Sequence, residues 1–170
     1  MNRDLLRLYA ITDRHCLKGM STVGAVKPMV GAEERRAAMP AGEMQDTVAL
    51  QCGSETEALT MAVEQAILGG ATMVQFREKE LTGAQLEQNA RAVQAVCRKH
   101  GVPFIMNNDV DLAQKLDADG VHVGQSDLPA AEARRLLGPG KIIGVTARTV
   151  AEAQAAEAAG ADYLGSGAVF

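Results

Sequence analysis

The sequence has little of what several large classes of protein require. Its apolar runs stop well short of the roughly 18 residues that a membrane-spanning helix needs. The formal net charge is −4, so there is no excess of positive charge to hold nucleic acid or an anionic membrane. The opening MNRDLLRLYAITD breaks its apolar residues with charges and lacks the core of a secretory signal. We therefore expect a cytoplasmic protein with no nucleic-acid and no membrane partner.

Cysteine is scarce and shows no pairing pattern. Cys16, Cys52 and Cys97 are odd in number and widely spaced, without a CxxC pair. This pattern indicates free thiols in a reducing compartment. There is also no zinc-type Cys/His spacing, no Ser-His-Asp arrangement and no evident nucleophile beside a base. The chemistry that remains uses a metal and a pyrophosphate clamp and forms no covalent bond to the protein.

What the chain does have is a regular alternation of short apolar runs and helical patterns. The runs predict strands at residues 8–12, 73–77, 103–106, 120–123, 141–145 and 162–165. Helices are predicted at residues 55–69, 82–100 and 110–116, from about residue 128 to Gly138, and from Thr149 to Ala159. Such alternation with short loops predicts a parallel sheet with helices packed on it.

Two architectures fit this alternation, a closed (β/α)8 barrel and an open doubly wound sheet. Polar residues follow several consecutive predicted strands, and only in a barrel do all carboxyl ends of the strands face one mouth. We therefore predict a single α/β domain over residues 1–170, a TIM (β/α)8-type barrel with about six of its eight strands present.

Residues 15–53 do not show this alternation of strand and helix patterns. They contain scattered Gly, Met and Pro and paired charges without a sustained period. A loop of this length is unusual in a compact domain, and we interpret it as a mobile insertion in the first βα loop, with an active-site lid as the alternative. The rest of the chain is shorter than the about 200 residues of a complete barrel. If Phe170 is the natural end, we expect a homo-oligomer or a complementing chain to cover the open sixth strand.

The strongest polar cluster follows the second predicted strand. Strand alternation would put Gln75, Arg77 and Lys79 on one side and Phe76 and Glu78 on the other. Three hydrogen-bond donors, two of them cationic, suit a pyrophosphate. The alternative is a strand end that runs into solvent.

Polar residues also follow the next strands. They are Asn107, Asn108 and Asp109 after the third, Gln125 and Asp127 after the fourth, and Thr146 after the fifth. Asp127 can bind Mg²⁺ together with phosphate oxygens, or it can cap the following helix. The same capping alternative holds for Asn108 and Asp109, and Thr146 either holds a phosphate or closes a turn. We interpret His122, inside an apolar run, as a packed core residue.

Six segments together resemble the thiamine-phosphate synthases. They are LYAITDR at residues 8–14, GGATMVQFREK at 69–79, VPFIMNNDVDLA at 102–113, DGVHVGQSDLP at 119–129, IIGVT at 142–146 and GADYLGSGAVF at 160–170. The resemblance covers nearly all of the chain outside residues 15–53. It implies a (β/α)8 barrel that joins hydroxymethylpyrimidine diphosphate to a thiazole phosphate, with Mg²⁺, and yields thiamine phosphate and pyrophosphate.

The resemblance also implies roles for single residues. Gln75, Arg77 and Lys79 would bind the pyrimidine diphosphate, and the two cations would stabilise the leaving group. Asn107 would bind the pyrimidine or its diphosphate, and Thr146 stands where the family usually has Ser. Asp127 matches a Mg²⁺ ligand. Asn108 occupies the position of a second ligand that is usually Asp, so its neutral side chain predicts weaker binding of the metal.

The resemblance stops short at the carboxyl end. The family continues with a Pro-Thr-x-Thr-Lys stretch and with the seventh and eighth strands, which bind phosphate, and we expect a C-terminal truncation. Two alternatives stay open, namely a thiazole tautomerase and a non-catalytic remnant or split subunit that binds a phosphorylated ligand. The full set of Gln75, Arg77 and Lys79 together with Asp127 favours the synthase.

Overall fold

The computed structural model describes residues 8–13 and 54–167. Six strands are present, β1 (Tyr9–Ile11), β2 (Met73–Phe76), β3 (Phe104–Asn107), β4 (Gly120–Val123), β5 (Ile142–Thr146) and β6 (Tyr163–Gly165). Five helices alternate with them, α1 (Glu55–Leu68), α2 (Gly83–His100), α3 (Val110–Lys115), α4 (Ala130–Leu137) and α5 (Val150–Ala158). The predicted alternation is confirmed. For most of the strand ends, the observed bound differs from the predicted one by one residue. The insertion predicted at residues 15–53 lies outside the described residues.

Local signals explain where the helices begin and end. Ser54 and Glu57 form a reciprocal capping box at the start of α1, and the Thr149 hydroxyl accepts the Glu152 N–H at the start of α5. Thr82 stands at the N-cap of α2, but its side chain makes no capping bond. No helix in the described ranges is both long and apolar enough to cross a membrane.

The sheet settles the choice between the two architectures. All neighbouring strands are parallel and follow the order β1-β2-β3-β4-β5-β6 without a reversal. A doubly wound sheet reverses its order at a switch point, whereas a barrel adds each strand beside the previous one. The described strands are therefore an arc of a TIM-type barrel.

The two faces of the sheet carry different cores. On the outer face, Val74, Phe76, Phe104 and other strand residues pack against the helices in one large apolar cluster. On the inner face, a smaller cluster contains Met73, Ile105 and Tyr163, with Tyr9 and Ile142 packed against it. The alternation of side chains along each strand produces this division.

The curvature of the sheet follows from one contact between its two end strands. If the sheet were flat, β1 and β6 would lie about 24 Å apart, at about 4.8 Å for each step between strands. The rings of Tyr9 and Tyr163 nevertheless meet edge to face with centroids 5.6 Å apart, and their hydroxyl oxygens are 2.6 Å apart. The sheet is therefore curled, and the two tyrosine side chains hold its end strands together.

Glycine makes room for this inner contact. A Cβ added to Gly144 on β5 would lie 2.1 Å from the Tyr163 ring and 2.5 Å from Nδ1 of His122. Real side chains do not approach so closely, so the ring of Tyr163 and the imidazole occupy the volume that a side chain at Gly144 would fill.

The amino ends of the even-numbered strands share one construction. A residue with positive φ follows each of α1, α3 and α5, namely Gly70, Asp117 and Gly160. An alanine and then Thr72, Asp119 or Asp162 come next, just before the strand. Each of these last side chains accepts a backbone N–H from the start of the preceding strand, from Leu8, Phe104 and Ile143 respectively. Their own backbone N–H groups donate to the carbonyl oxygens of the same three residues.

Cys97 is a free, buried thiol on α2, as predicted. Burial, aided by the charge of Asp119, raises the pKa of Cys97 to about 12, so the thiol stays protonated and behaves as a small apolar group. Cys16 and Cys52 lie outside the described residues.

Replacing Asp119 by alanine tests the construction at the strand starts. The buried Phe104 N–H would lose its carboxylate partner, 2.8 Å away, and we expect the free energy of unfolding to fall by about 1–3 kcal/mol. Urea denaturation measures the change. Asp119→Asn keeps an oxygen acceptor and should lose less, and Glu157→Ala, at an exposed position on α5, is the matched control. Equal losses for Asp119→Ala and Glu157→Ala would contradict the account.

The inner tyrosines give a pH prediction. Burial raises the pKa of Tyr9 to about 12, against hydrogen bonds that lower it, and burial beside Tyr9 raises the pKa of Tyr163 further. The folded state therefore favours the neutral phenols. Their contribution to stability is complete below about pH 10, the pKa of an unfolded tyrosine, and is lost as the pH rises toward 12.

These are the two tyrosines of a chain without tryptophan, so absorbance of tyrosinate reports on them directly. At about pH 10.5 we expect almost no tyrosinate in the native protein and extensive ionisation in urea. On further alkalinisation both phenols should ionise together with loss of the circular dichroism of the fold. Half ionisation near pH 10 with the fold intact would show that the tyrosines are not enclosed.

Candidate functional site

The polar residues predicted from strand ends lie at the carboxyl edge of the curved sheet. Gln75, on β2, points to the inner face, where it is only 3% exposed, and its amide nitrogen donates to the Tyr9 hydroxyl at 2.8 Å. Its substrate-binding role remains a prediction. This hydrogen bond uses one of the two amide N–H groups, and the side-chain oxygen is an acceptor that could meet a ligand.

Arg77 lies just past the end of β2 and is held by the segment that follows β1. Its guanidinium donates to the Asp13 carboxylate at 2.5 Å. Its backbone N–H donates to the Thr12 hydroxyl at 2.9 Å, and that hydroxyl donates back to the Arg77 carbonyl at 3.3 Å. About a quarter of the Arg77 side chain, 28%, is exposed. The guanidinium is therefore both positioned and accessible at the mouth.

Lys79 is exposed on a turn rather than on the strand, so strand alternation does not decide its direction. The Glu78 carboxylate shapes this turn, because one of its oxygens accepts the backbone N–H groups of Lys79 and Glu80, both at 2.8 Å. Glu78 is thus a structural residue of the loop that carries Lys79.

The three polar residues after β3 have different positions and hydrogen bonds. Asn107 ends the strand and is half-buried. Asn108 is exposed with φ 64°, a left-handed conformation that Asn adopts more readily than most residues, and its N–H donates to the His122 carbonyl at 2.8 Å. Asp109 is the N-cap of α3 and accepts the Leu112 N–H at 2.8 Å. The capping alternative is thus confirmed for Asp109 and wrong for Asn108.

Asp127 belongs to the loop after β4 and does not cap the next helix. The N-cap of α4 is Pro129, so the capping prediction for Asp127 is wrong. Pro129 disfavours a helical backbone at the residue before it, so the helix begins only at Ala130. The carboxylate instead accepts the Gly124 N–H at 2.7 Å. Asp127 is only half-buried.

His122 and Thr146 connect the interior of the sheet to this edge. The prediction that His122 is a packed core residue is confirmed by its 8% exposure. Its ring also makes two polar contacts, from Nδ1 to the Tyr163 hydroxyl at 3.1 Å and from Nε2 to the Thr146 hydroxyl at 2.9 Å. Burial lowers the pKa of the imidazole against the opposing charge of Asp127, which favours the neutral ring.

Sequence reasoning missed four residues that organise the site. Tyr9 and Tyr163 form its floor, and Thr12 and Asp13 hold Arg77. The available signal was a tyrosine inside each of two short apolar strands, because a buried phenol needs a partner. The partners themselves lie at least 64 residues away in the chain, a distance that no local pattern spans.

Comparison with known proteins agrees with this fold. A family model described as Thiamine monophosphate synthase matches residues 48–170. Thiamine-phosphate synthase of Ruminiclostridium cellulolyticum is 51% identical over 115 residues, which are 68% of this chain and 55% of that protein. The corresponding protein of Moorella thermoacetica is 46% identical over 132 residues, 78% of this chain and 62% of its own length. The chain thus spans little more than half the length of these relatives.

Two solved structures are similar as well. Thiamine phosphate pyrophosphorylase from Pyrococcus furiosus superimposes with a TM-score of 0.69 at 29% identity, over 99% of this chain and 63% of that one. A putative dihydrodipicolinate synthetase from Pseudomonas aeruginosa reaches a TM-score of 0.53 at 20% identity, over 66% of this chain and 43% of that one, which is a likeness of fold alone. The family match, the identity to curated relatives and the strand order agree, and the chain belongs to the thiamine monophosphate synthase family.

Proposed function

We propose that the protein acts as a thiamine-phosphate synthase, which joins hydroxymethylpyrimidine diphosphate to thiazole phosphate and releases pyrophosphate. The observation that carries the proposal is the position of Arg77 at the mouth of the sheet, fixed by Asp13 and Thr12 and next to the inward-facing Gln75. The reaction itself is inferred from the membership of the chain in the thiamine monophosphate synthase family. We also propose that it works in the cytoplasm on small-molecule substrates.

The proposed reaction is a substitution at the methylene carbon of the pyrimidine. The carbon–oxygen bond to the diphosphate breaks, and its electron pair leaves with the pyrophosphate. Arg77 and Lys79 would stabilise the negative charge that develops on this leaving group. The thiazole nitrogen then donates its lone pair to the cation-like methylene. The protein contributes position and charge and forms no covalent bond.

The other mouth residues would orient the substrates. The side-chain oxygen of Gln75 can accept from an amino group of the pyrimidine, since its nitrogen already donates to Tyr9. The half-buried Asn107 and Thr146 lie at the ends of β3 and β5, where they can hydrogen bond the pyrimidine or a phosphate.

Mg²⁺ fits the oxygen donors at this edge when it is shared with a diphosphate. In the described ranges, no group of three or more His, Cys, Asp or Glu side chains could hold a metal. Asp127 and Asn108 would contribute one carboxylate and one amide oxygen, and Mg²⁺ commonly completes such sets with phosphate oxygens and water. When bound, the ion would neutralise charge on the diphosphate.

A second candidate is a phosphate-binding part that needs further residues for turnover. It is favoured by the fact that the chain spans 55% and 62% of the two bacterial synthases. The two candidates differ in one assay, formation of thiamine phosphate from both substrates and Mg²⁺. Product formation supports the synthase. Binding of the pyrimidine diphosphate without product supports the second candidate, and no binding of either substrate overturns both.

Arg77→Ala should weaken the site strongly under either candidate. We expect affinity for inorganic pyrophosphate in the presence of Mg²⁺ to fall at least about tenfold, because a charge-assisted hydrogen-bonding group is lost. Where the protein is active, turnover should fall about 10²-fold or more. Isothermal titration calorimetry and product formation measure the two effects.

Arg91→Ala is the matched control, because it removes an exposed arginine of α2 that pairs with Glu87 on the same helix. Glu78→Gln keeps an acceptor for the turn and should cost less than Arg77→Ala. Equal losses for Arg77→Ala and Arg91→Ala would contradict the proposed clamp.

Asn108→Asp should strengthen the dependence on Mg²⁺. The change adds a carboxylate beside the proposed metal position, in a backbone conformation that Asp also tolerates. We expect pyrophosphate binding to reach half saturation at a Mg²⁺ concentration several-fold lower, about tenfold at most. Gln154→Glu, exposed on α5, adds the same charge elsewhere and is the control. An unchanged Mg²⁺ dependence in Asn108→Asp would exclude this position from the metal site.

A further inference from the structure

Five polar side chains form one line of hydrogen bonds across the inner face of the sheet. Gln75 contacts Tyr9 at 2.8 Å, Tyr9 contacts Tyr163 at 2.6 Å, Tyr163 contacts His122 at 3.1 Å, and His122 contacts Thr146 at 2.9 Å. The line joins five of the six strands and ends at a half-buried threonine on the carboxyl edge. The roles proposed above for the mouth do not use the two tyrosines or the imidazole.

The donors and acceptors along the line can be assigned from the protons that each group carries. The Gln75 nitrogen only donates, so the Tyr9 oxygen accepts, and the single proton of Tyr9 is then available for Tyr163. Tyr163 accepts that bond, which leaves its own proton for Nδ1 of His122. A neutral imidazole that accepts at Nδ1 carries its proton on Nε2, and this proton is donated to the Thr146 oxygen.

The opposite tautomer leaves a defect. With the proton on Nδ1, Tyr163 accepts from His122, and one phenol proton has no acceptor among these contacts, either that of Tyr163 or, if Tyr163 donates to Tyr9, that of Tyr9. Tyr163 is 7% exposed, and a buried donor without a partner is costly. With the proton on Nε2 the one unmatched proton lies instead on Thr146, at the carboxyl edge, where a ligand can accept it. This arrangement favours the tautomer that carries its proton on Nε2.

We propose that this line fixes Thr146 as an acceptor toward the interior and so presents its hydroxyl proton to an anionic oxygen at the mouth. His122 is then a positioning residue that acts through Thr146. A phosphate oxygen, which only accepts, matches this polarity, and the identity of that anion rests on the proposed function. Tyr9 and Tyr163 would thus orient the hydrogen bonds that reach Thr146, a role that can be tested without measuring turnover.

The direction of the line can be measured without a ligand. In protein labelled with ¹⁵N-histidine, long-range proton–nitrogen spectra separate the two neutral tautomers. The chain has three histidines, and the His15→Gln and His100→Gln variants assign the His122 signals by elimination. We expect Nε2 of His122 to carry the proton. A protonated Nδ1 would overturn the inference.

The outward role of Thr146 is tested by binding of inorganic pyrophosphate with Mg²⁺. Thr146→Ser keeps the hydroxyl and should bind within about twofold of the unchanged protein, whereas Thr146→Val should bind about tenfold more weakly. Thr60→Val is the matched control and should bind normally, because among the described residues the Thr60 hydroxyl bonds to carbonyls of its own helix.

Tyr163→Phe tests whether the buried tyrosine and His122 position the Thr146 hydroxyl. It keeps the ring but removes the proton that reaches His122, and we expect about three- to tenfold weaker binding with a mixed tautomer of His122. Normal binding in Tyr163→Phe would overturn the positioning role even if Thr146→Val binds weakly. If the unchanged protein does not bind pyrophosphate, the proposed function and the anion assigned to Thr146 are both overturned. The measured tautomer of His122 would still test the direction of the hydrogen bonds along the line.

Discussion

The contact between Tyr9 and Tyr163 is the constraint on which the rest of this structure depends. These residues stand on the two end strands of the described sheet, and their hydroxyl oxygens are 2.6 Å apart. A flat sheet would hold them several strand widths apart. The curl that the contact requires brings the carboxyl ends of all six strands toward one side, and without it Arg77, Asp127 and Thr146 would belong to separate surfaces.

The two edges of the sheet serve different purposes. At the amino edge, Thr72, Asp119 and Asp162 exchange backbone hydrogen bonds with the preceding strand, and Arg134 binds Asp162 at 2.7 Å as well as the carbonyls of Gly138, Lys141 and Gly160. These side chains are engaged in hydrogen bonds within the fold, which indicates a stabilising role for this edge. At the carboxyl edge, Lys79, Asn108 and Gln125 are exposed. A division of this kind is common in TIM-type barrels, where binding residues occupy the carboxyl face.

Much of this could be predicted from the sequence, for reasons that are local. An apolar stripe marks α1, a capping threonine marks the start of α5, and polar residues after consecutive strands favour a barrel over a doubly wound sheet. The prediction of an N-cap at Asp127 was wrong because Pro129 disfavours a helical backbone at the residue before it, and the helix begins only at Ala130. The pairing of Arg77 with Asp13, and of Tyr9 with Tyr163, depends on register and curvature. Those properties arise only when the whole sheet is assembled, so no segment of sequence carries them.

The two inner tyrosines should hold the sheet in its curve through their direct hydrogen bond. A double-mutant cycle of Tyr9→Phe and Tyr163→Phe, followed by urea unfolding, measures this most directly, because both changes keep the rings and remove only hydroxyls. The account predicts a coupling free energy of about 1 kcal/mol between the two changes. Losses that add to within about 0.3 kcal/mol would mean that the hydroxyls act independently, and the curve would then need another cause.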